Sequence, residues 1–219
     1  MNIKKNKSVK EIFAVAVQHH KKNNFKVAKQ LYKEILKINP NYADVHNNLG
    51  IVFEQLGQFQ KATSYFQKAI GINPNYADAY YNLGKVFNEL NEFQKAINCY
   101  NKAIKINPNY ADVYNNLGII FKDLGEHQKA ISFYEKSIQI NPNYVNAYNN
   151  LGTILLELGN VNEAKKNFEN SLNLNQNNKE TCEGYGNALL KLDKHDKALA
   201  YIRKGTGFIR FTQKDFNLI

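Results

Sequence analysis

The side chains that most often carry catalysis or bind metal are scattered along this chain and form no active-site pattern. Among the five histidines, His19 and His20 are adjacent, so on a helix their side chains would project about 100° apart, whereas metal ligands need a shared face. The two cysteines, Cys99 and Cys182, lack the clustered spacing of a metal site. We therefore predict a protein without catalytic residues, metal or cofactor.

One polar residue type does recur at a spacing that implies chemistry. Asparagine occupies four positions that are 34 residues apart: Asn48, Asn82, Asn116 and Asn150. A primary amide has N–H donors and a carbonyl acceptor, so it can pair with both polar groups of a peptide bond. A ladder of such amides would hold an extended polypeptide by its backbone. Composition alone is the other explanation, because the chain contains 34 asparagines and several flank the ladder.

Proline marks the same period along the chain. Pro40, Pro74, Pro108 and Pro142 are 34 residues apart, and each lies in the phrase Ile-Asn-Pro-Asn-Tyr. Extending this register to both sides gives six units, with a basic tail at 1–8 and a C-terminal tail at 213–219. The predicted units are 9–42, 43–76, 77–110, 111–144, 145–178 and 179–212.

Each unit contains two segments with the apolar periodicity of amphipathic helices. The position between the two segments is held by residue types that tolerate positive φ, as the residue after a helix end requires: Asn23, Gly57, Asn91, Gly125, Gly159 and Asp193. The eighth position is small in every unit, and the twentieth is always alanine. Because glycine inside a helix costs about 1 kcal/mol relative to alanine, its recurrence at the eighth position indicates that two helices pack closely.

These columns resemble those of the tetratricopeptide repeat. The third unit shows the pattern as Tyr80, Leu83-Gly84, Phe87, Ala96, Tyr100 and Pro108. The resemblance implies an all-α fold, a right-handed superhelical solenoid of six helix–turn–helix repeats whose first helices line a concave groove. The phrases Asn-Pro-Asn-Tyr and Tyr-Asn-Asn-Leu-Gly are most similar to the repeats of O-linked N-acetylglucosamine transferases.

The resemblance also implies which residues face the groove. The candidates are the four ladder asparagines together with the charged positions Asp44, Asp78, Asp112, Lys85, Glu89 and Asp123. Most of these charges are acidic, whereas the members of the family that grip a C-terminal carboxylate use lysine and arginine. We therefore expect an extended segment that is neutral to basic, bound by a non-catalytic protein–protein interaction scaffold.

The alternative is the substrate-recognition module of a larger enzyme, such as a glycosyltransferase, whose catalytic domain is absent. The net charge of +10 raises RNA as a third partner, but most of that charge is lysine in residues 1–42, and the chain has only two arginines. We expect a protein or peptide partner, with self-association possible and nucleic acid disfavoured. A mean hydropathy of −0.54 disfavours a membrane span, and the lack of a secretory signal favours the cytoplasm.

The end of the array gives a testable prediction. We expect the last helix to run from about Asp196 to Lys204, with Gly205 and Gly207 stopping it and 205–219 forming a cap or the stub of a further domain. Residues 208–219 contain six large apolar side chains. Deleting 208–219 should therefore lower the melting temperature or cause association in sedimentation experiments. A truncated protein that stays monomeric with an unchanged melt would contradict the cap.

Overall fold

The structure is a computed structural model and describes residues 8–207. Within this range the regular secondary structure is entirely α-helical, as predicted. The helices are α1 (Val9–Lys21), α2 (Phe25–Ile38), α3 (Ala43–Gln55), α4 (Phe59–Ile72), α5 (Ala77–Glu89), α6 (Phe93–Ile106), α7 (Ala111–Asp123), α8 (His127–Ile140), α9 (Val145–Glu157), α10 (Val161–Leu174), α11 (Lys179–Leu190) and α12 (His195–Thr206).

The helices form where apolar side chains recur every three or four residues. Helix α7, for example, buries Val113, Leu117 and Ile120 on one stripe. Its partner α8 buries Ala130 and Tyr134 on the facing stripe. Odd-numbered helices are the first helices of their repeats and even-numbered helices are the second, so six helix–turn–helix hairpins follow one another along the chain.

The turn inside each hairpin has the backbone conformation that the sequence predicts. All six residues at this position have positive φ, from 56° at Asp193 to 82° at Gly159. The N–H of the next residue then reaches back to the first helix, as when Gln58 donates to the Phe53 carbonyl over 2.8 Å. This left-handed residue ends the first helix and lets the second begin within a few residues.

The turn between hairpins is made chiefly by asparagine. The side chain of the first asparagine in the repeated phrase accepts a hydrogen bond from the backbone of the second, as in Asn39 Oδ1 with Asn41 N at 3.2 Å. In the fifth repeat Gln176 replaces proline, yet Asn175 and Asn177 make the same contact at 3.1 Å. The asparagine pair therefore maintains the turn where proline is missing.

The chain divides into two compact units at residues 108 and 109. Unit 1 is described from 8 to 108 and contains α1–α6, and unit 2 is described from 109 to 207 and contains α7–α12. Inside each unit, a hairpin packs its second helix against the first helix of the next hairpin. First helices also contact one another, α3 with α5 in unit 1 and both α7 and α11 with α9 in unit 2.

A contact between glycine and an aromatic ring fixes the hairpins. At Gly50 an added Cβ would lie 2.5 Å from Cε1 of Phe66 on the second helix, and at Gly118 it would lie 2.5 Å from Cε1 of Tyr134. Gly84 and Gly152 face Tyr100 and Phe168 in the same way. The predicted close packing is present, but the glycine makes room for the ring and not for the alanine of the twentieth position.

The end of the last helix differs from the prediction. Helix α12 continues through Gly205 to Thr206 and ends at Gly207, whose φ is 79°. Gly205 is helical because it lies against the start of α11, where a Cβ would be 2.7 Å from the Lys179 carbonyl oxygen. Residues 205 and 206 are therefore not part of a separate cap, and the cap proposed for 208–219 lies outside the described residues.

The glycine–ring contact predicts opposite effects for two glycines of one hairpin. Gly50→Ala should lower the free energy of unfolding by about 1–3 kcal/mol, because the new methyl group would overlap the Phe66 ring. Gly71→Ala in α4 should raise it by up to about 1 kcal/mol, because this helical glycine has nothing within 4 Å of an added Cβ. Urea unfolding of both variants would measure the difference. Equal effects would mean that the Phe66 ring does not require the absence of a side chain at position 50.

Candidate functional site

The surface that we call the first-helix face consists of the exposed sides of α1, α3 and α5 in unit 1, and of α7, α9 and α11 in unit 2. Because α3 contacts α5, and α9 contacts both α7 and α11, side chains at the same position of these neighbouring repeats lie side by side on it. The predicted ladder and the predicted charged residues all lie on these helices.

Two of the four ladder asparagines, Asn82 and Asn150, are held by asparagines of the preceding repeat that lie one position before the ladder. In unit 1, Nδ2 of Asn82 donates to Oδ1 of Asn47 over 3.1 Å. In unit 2, Nδ2 of Asn150 donates to Oδ1 of Asn115 over 3.0 Å. Asn47 and Asn115 are each 4% exposed, so they are buried structural partners. The sequence reasoning missed this role, although the 35-residue spacing of each pair was visible.

The pairing divides the ladder into residues of different accessibility. Asn82 is only 8% exposed and already uses one N–H, so it serves the packing of repeats. Asn48, Asn116 and Asn150 are half-buried. Asn48 hydrogen-bonds the hydroxyl of Tyr32, whose pKa is raised to about 12 by burial and lowered slightly by this bond. That hydroxyl also lies 3.4 Å from Nδ1 of His20.

The asparagine pairing ends at the sixth repeat. Asn149 occupies the position of Asn47 and Asn115, but the residue that would face it in the next repeat is Gly184. Oδ1 of Asn149 is accordingly buried without a hydrogen-bond partner among the described residues. An asparagine is excluded at Gly184, because a Cβ there would lie 2.6 Å from Cε1 of Phe168.

The aspartates near the start of the first helices bind tyrosine hydroxyls. The hydroxyl of Tyr144 donates to Oδ1 of Asp112 over 2.9 Å, and Tyr76 bonds Asp44 in the same way. Burial, and then the hydrogen bond and negative charge of Asp44, raise the pKa of Tyr76 above its ordinary value. These hydroxyls therefore remain protonated donors that link the two ends of one repeat. Asp78 is exposed at the same position of the third repeat.

Two lysines of the first-helix face, Lys85 and Lys122, are paired with acids of the neighbouring repeat. Nζ of Lys85 lies 2.8 Å from Oε1 of Glu54, and Nζ of Lys122 lies 3.5 Å from Oε1 of Glu157. Glu89 and Asp123 are exposed near the ends of α5 and α7. Because acids outnumber lysines on the first helices of each unit, and two of the lysines are paired, the net charge of this face is acidic in both units.

One histidine of the first helices, His46, serves packing. His46 is buried, and its Nε2 lies 2.8 Å from the Pro40 carbonyl. His, Cys, Asp and Glu side chains form no cluster of three or more that would hold a metal ion in residues 8–207. In the same part of the chain, no helix has both the length and the apolar character needed to cross a bilayer.

Comparisons with known proteins identify the class of this fold. Three family models described as tetratricopeptide repeats match the chain. The first matches residues 18–57 and 84–125, the second matches 43–76 and 111–144, and the third matches 65–98 and 133–166. The second of these coincides with two units of the predicted register. The chain therefore belongs to the tetratricopeptide repeat family.

Solved structures agree with this assignment. The crystal structure of MamA is 33% identical and matches 74% of this chain and 95% of its own, with a TM-score of 0.65. PilF of Pseudomonas aeruginosa is 19% identical over 88% of both chains, with a TM-score of 0.81. YrrB, described as a TPR protein with an unusual peptide-binding site, is 19% identical over 80% of this chain and 91% of its own, with a TM-score of 0.62.

The comparison with curated proteins gave no match. Nothing in the family models or the matched structures singles out the repeats of O-linked N-acetylglucosamine transferases, so that narrower resemblance stays a prediction.

The asparagine pairing predicts different effects at equivalent positions. Asn115→Ala should lower the free energy of unfolding by about 1–3 kcal/mol, because it removes a buried hydrogen bond and leaves the Asn150 amide without its acceptor. Asn149→Ala should have a smaller effect, because the Asn149 Oδ1 has no partner to lose. Thermal and urea unfolding of the two variants would test this, and a larger loss at Asn149 would contradict the pairing.

Proposed function

We propose that the protein is a non-catalytic scaffold that binds an extended polypeptide segment on its first-helix faces. The observation that carries this proposal is the fixed orientation of Asn150 by Asn115. An amide that is held by one hydrogen bond loses little side-chain freedom when it binds a second group, so less entropy opposes binding.

The chemistry of these amides suits a peptide backbone. A side-chain amide has two N–H donors and one carbonyl acceptor. Asn150 spends one donor on Asn115, which leaves one donor and the carbonyl oxygen for a ligand. Hydrogen bonds of this kind are made to the peptide groups of the ligand and do not depend on its side chains. This is the recognition expected for a partner that is bound in extended form.

The acidic charge of the first-helix face of unit 2 indicates which polypeptide segments it would bind. Helices α7, α9 and α11 of unit 2 contain five acids and two lysines, and one of those lysines, Lys122, is paired with Glu157. A segment with a free carboxylate would meet like charge, whereas lysine or arginine side chains would be attracted. A neutral-to-basic segment therefore complements this face, and a carboxylate clamp does not fit it.

The proposal predicts which variants lose peptide binding. The double variant Asn116→Ala/Asn150→Ala should bind the neutral and basic members of an array of unstructured peptides about thirtyfold more weakly, since two lost hydrogen bonds at about 1 kcal/mol each remove about 2 kcal/mol. Fluorescence anisotropy with the peptides that the wild-type protein selects would measure this.

Two exposed asparagines of second helices provide the matched control. Asn101→Ala/Asn162→Ala removes the same number of amides from α6 and α10 and should leave affinity unchanged. If both double variants bind as the wild type does, the ladder reflects composition. If both lose affinity equally, the peptide binds elsewhere.

A further inference from the structure

The two faces of unit 1 carry opposite charge. Its second helices α2, α4 and α6 contain nine lysines and one acid, Glu34. Its first helices α1, α3 and α5 contain three lysines and five acids. The positive charge of unit 1 is therefore concentrated on its second helices.

A cleft between α2 and α4 gathers part of this charge. Four lysines line it, namely Lys29, Lys33, Lys61 and Lys68, and the remaining lining residues are Phe53, Gln58, Ser64 and Tyr65. No carboxylate lines the cleft, and none lies within ion-pair distance of these lysines among residues 8–207. Lys26 and Lys37 extend the basic surface along α2, in an adjoining groove that shares Lys29 and Lys33 with the cleft and also contains Glu34.

Two stacked rings position the ammonium groups. The rings of Phe53 and Tyr65 are parallel to within 10° and 5.3 Å apart. Nζ of Lys29 and of Lys61 lie 5.7 and 5.5 Å from the centroid of the Phe53 ring, and Lys68 lies 5.4 Å from that of Tyr65. The quadrupoles of the rings hold three like charges near one another without neutralising them.

Other repeats show how the same arrangement is neutralised. Lys95 and Lys129 occupy the position of Lys61 and lie over Phe87 and Phe121. Each also forms an ion pair with the glutamate three residues before it, Glu92 or Glu126. At that position the second repeat has Gln58, and Nζ of Lys61 donates a hydrogen bond to its neutral amide oxygen, Oε1, over 2.8 Å. The α2–α4 cleft therefore keeps its full positive charge.

We propose that the cleft between α2 and α4 is a second binding surface and that it takes an acidic polypeptide segment. Together with Lys26 and Lys37 beside the cleft, the row of lysines along α2 covers about 16 Å, which equals about five residues of extended chain. Carboxylates at alternate positions of such a segment meet the lysines on both sides of the cleft. Because the first-helix face attracts basic segments, the two faces of unit 1 select partners of opposite charge.

A nucleic acid fits this surface less well. Single-stranded RNA gains affinity by stacking bases on accessible aromatic rings, but Phe53 is buried and both rings lie under lysines. The cleft also contains no arginine, which is the residue that makes bidentate contacts with phosphate. Isolated ammonium groups at separate positions suit the isolated carboxylates of an acidic peptide.

The test is fluorescence anisotropy of the full chain with three labelled probes: a dodecapeptide rich in Asp and Glu, a neutral dodecapeptide of Gln and Ser, and a uridine dodecamer. The acidic peptide should bind most tightly, and its affinity should fall with added salt. Lys29→Gln/Lys33→Gln/Lys68→Gln should weaken it by about tenfold or more. Gln58→Glu, which supplies the carboxylate present in the third and fourth repeats, should weaken it about threefold without lowering the melting temperature.

Matched variants separate the cleft from other lysines. Lys95→Gln and Lys129→Gln remove ammonium groups that are already paired, and should leave affinity unchanged. Lys4→Gln/Lys5→Gln/Lys7→Gln removes the same number of charges as the cleft triple variant, and should also have little effect. A loss of binding in the tail variant equal to that in the cleft variant would overturn the proposal.

Three further results would also overturn it. The first is tighter binding of the uridine dodecamer than of the acidic peptide. The second is equal affinity for the acidic and neutral peptides. The third is sedimentation that shows self-association abolished by the cleft triple variant, because the occupant of the cleft would then be a second copy of this chain.

Discussion

The fold depends on the contact between a glycine of the first helix and the side chain of the second helix that it faces. Four repeats place an aromatic ring against glycine, and the sixth places Ile202 there, where a Cβ on Gly186 would lie 2.6 Å from the isoleucine side chain. Because the ring occupies the volume of the missing side chain, the two helices of a hairpin approach closely and bury the alanines around it. That approach fixes the hairpin as a unit, which then stacks on its neighbours.

Much of this architecture is visible in the sequence, because it depends on interactions within one repeat. The 34-residue period predicts the hairpins, and the residue types at the turn predict six positive φ values, all of which are present. The partner of the glycines was not predicted, since periodicity shows which columns are small but not which side chain faces them. Helix α12 passes through Gly205 because contact with α11 outweighs the low helix propensity of glycine.

The candidate site was harder to predict because it depends on contacts between repeats. The ladder positions lie on the first helices, but the pairing of Asn82 with Asn47 depends on the offset between successive hairpins, which no local pattern encodes. The same holds for Lys85, whose charge appears available in the sequence and is paired with Glu54 in the structure. The same residue type therefore serves stacking at some positions and surface chemistry at others. Burial of the side chain in the structure distinguishes the two roles.

The residue that precedes each second helix has an evolutionary consequence. None of the side chains at this position is part of the hydrophobic core. From the first repeat to the sixth, the residues are Asn24, Gln58, Glu92, Glu126, Asn160 and Lys194. Codons for glutamine and glutamate differ by a single base, so one point mutation adds or removes a carboxylate beside the lysine that covers the aromatic ring. The electrostatic character of each repeat's outer side can thus change in one mutational step, independently of the core, and duplicated repeats can diverge in the partners they attract while keeping the same fold.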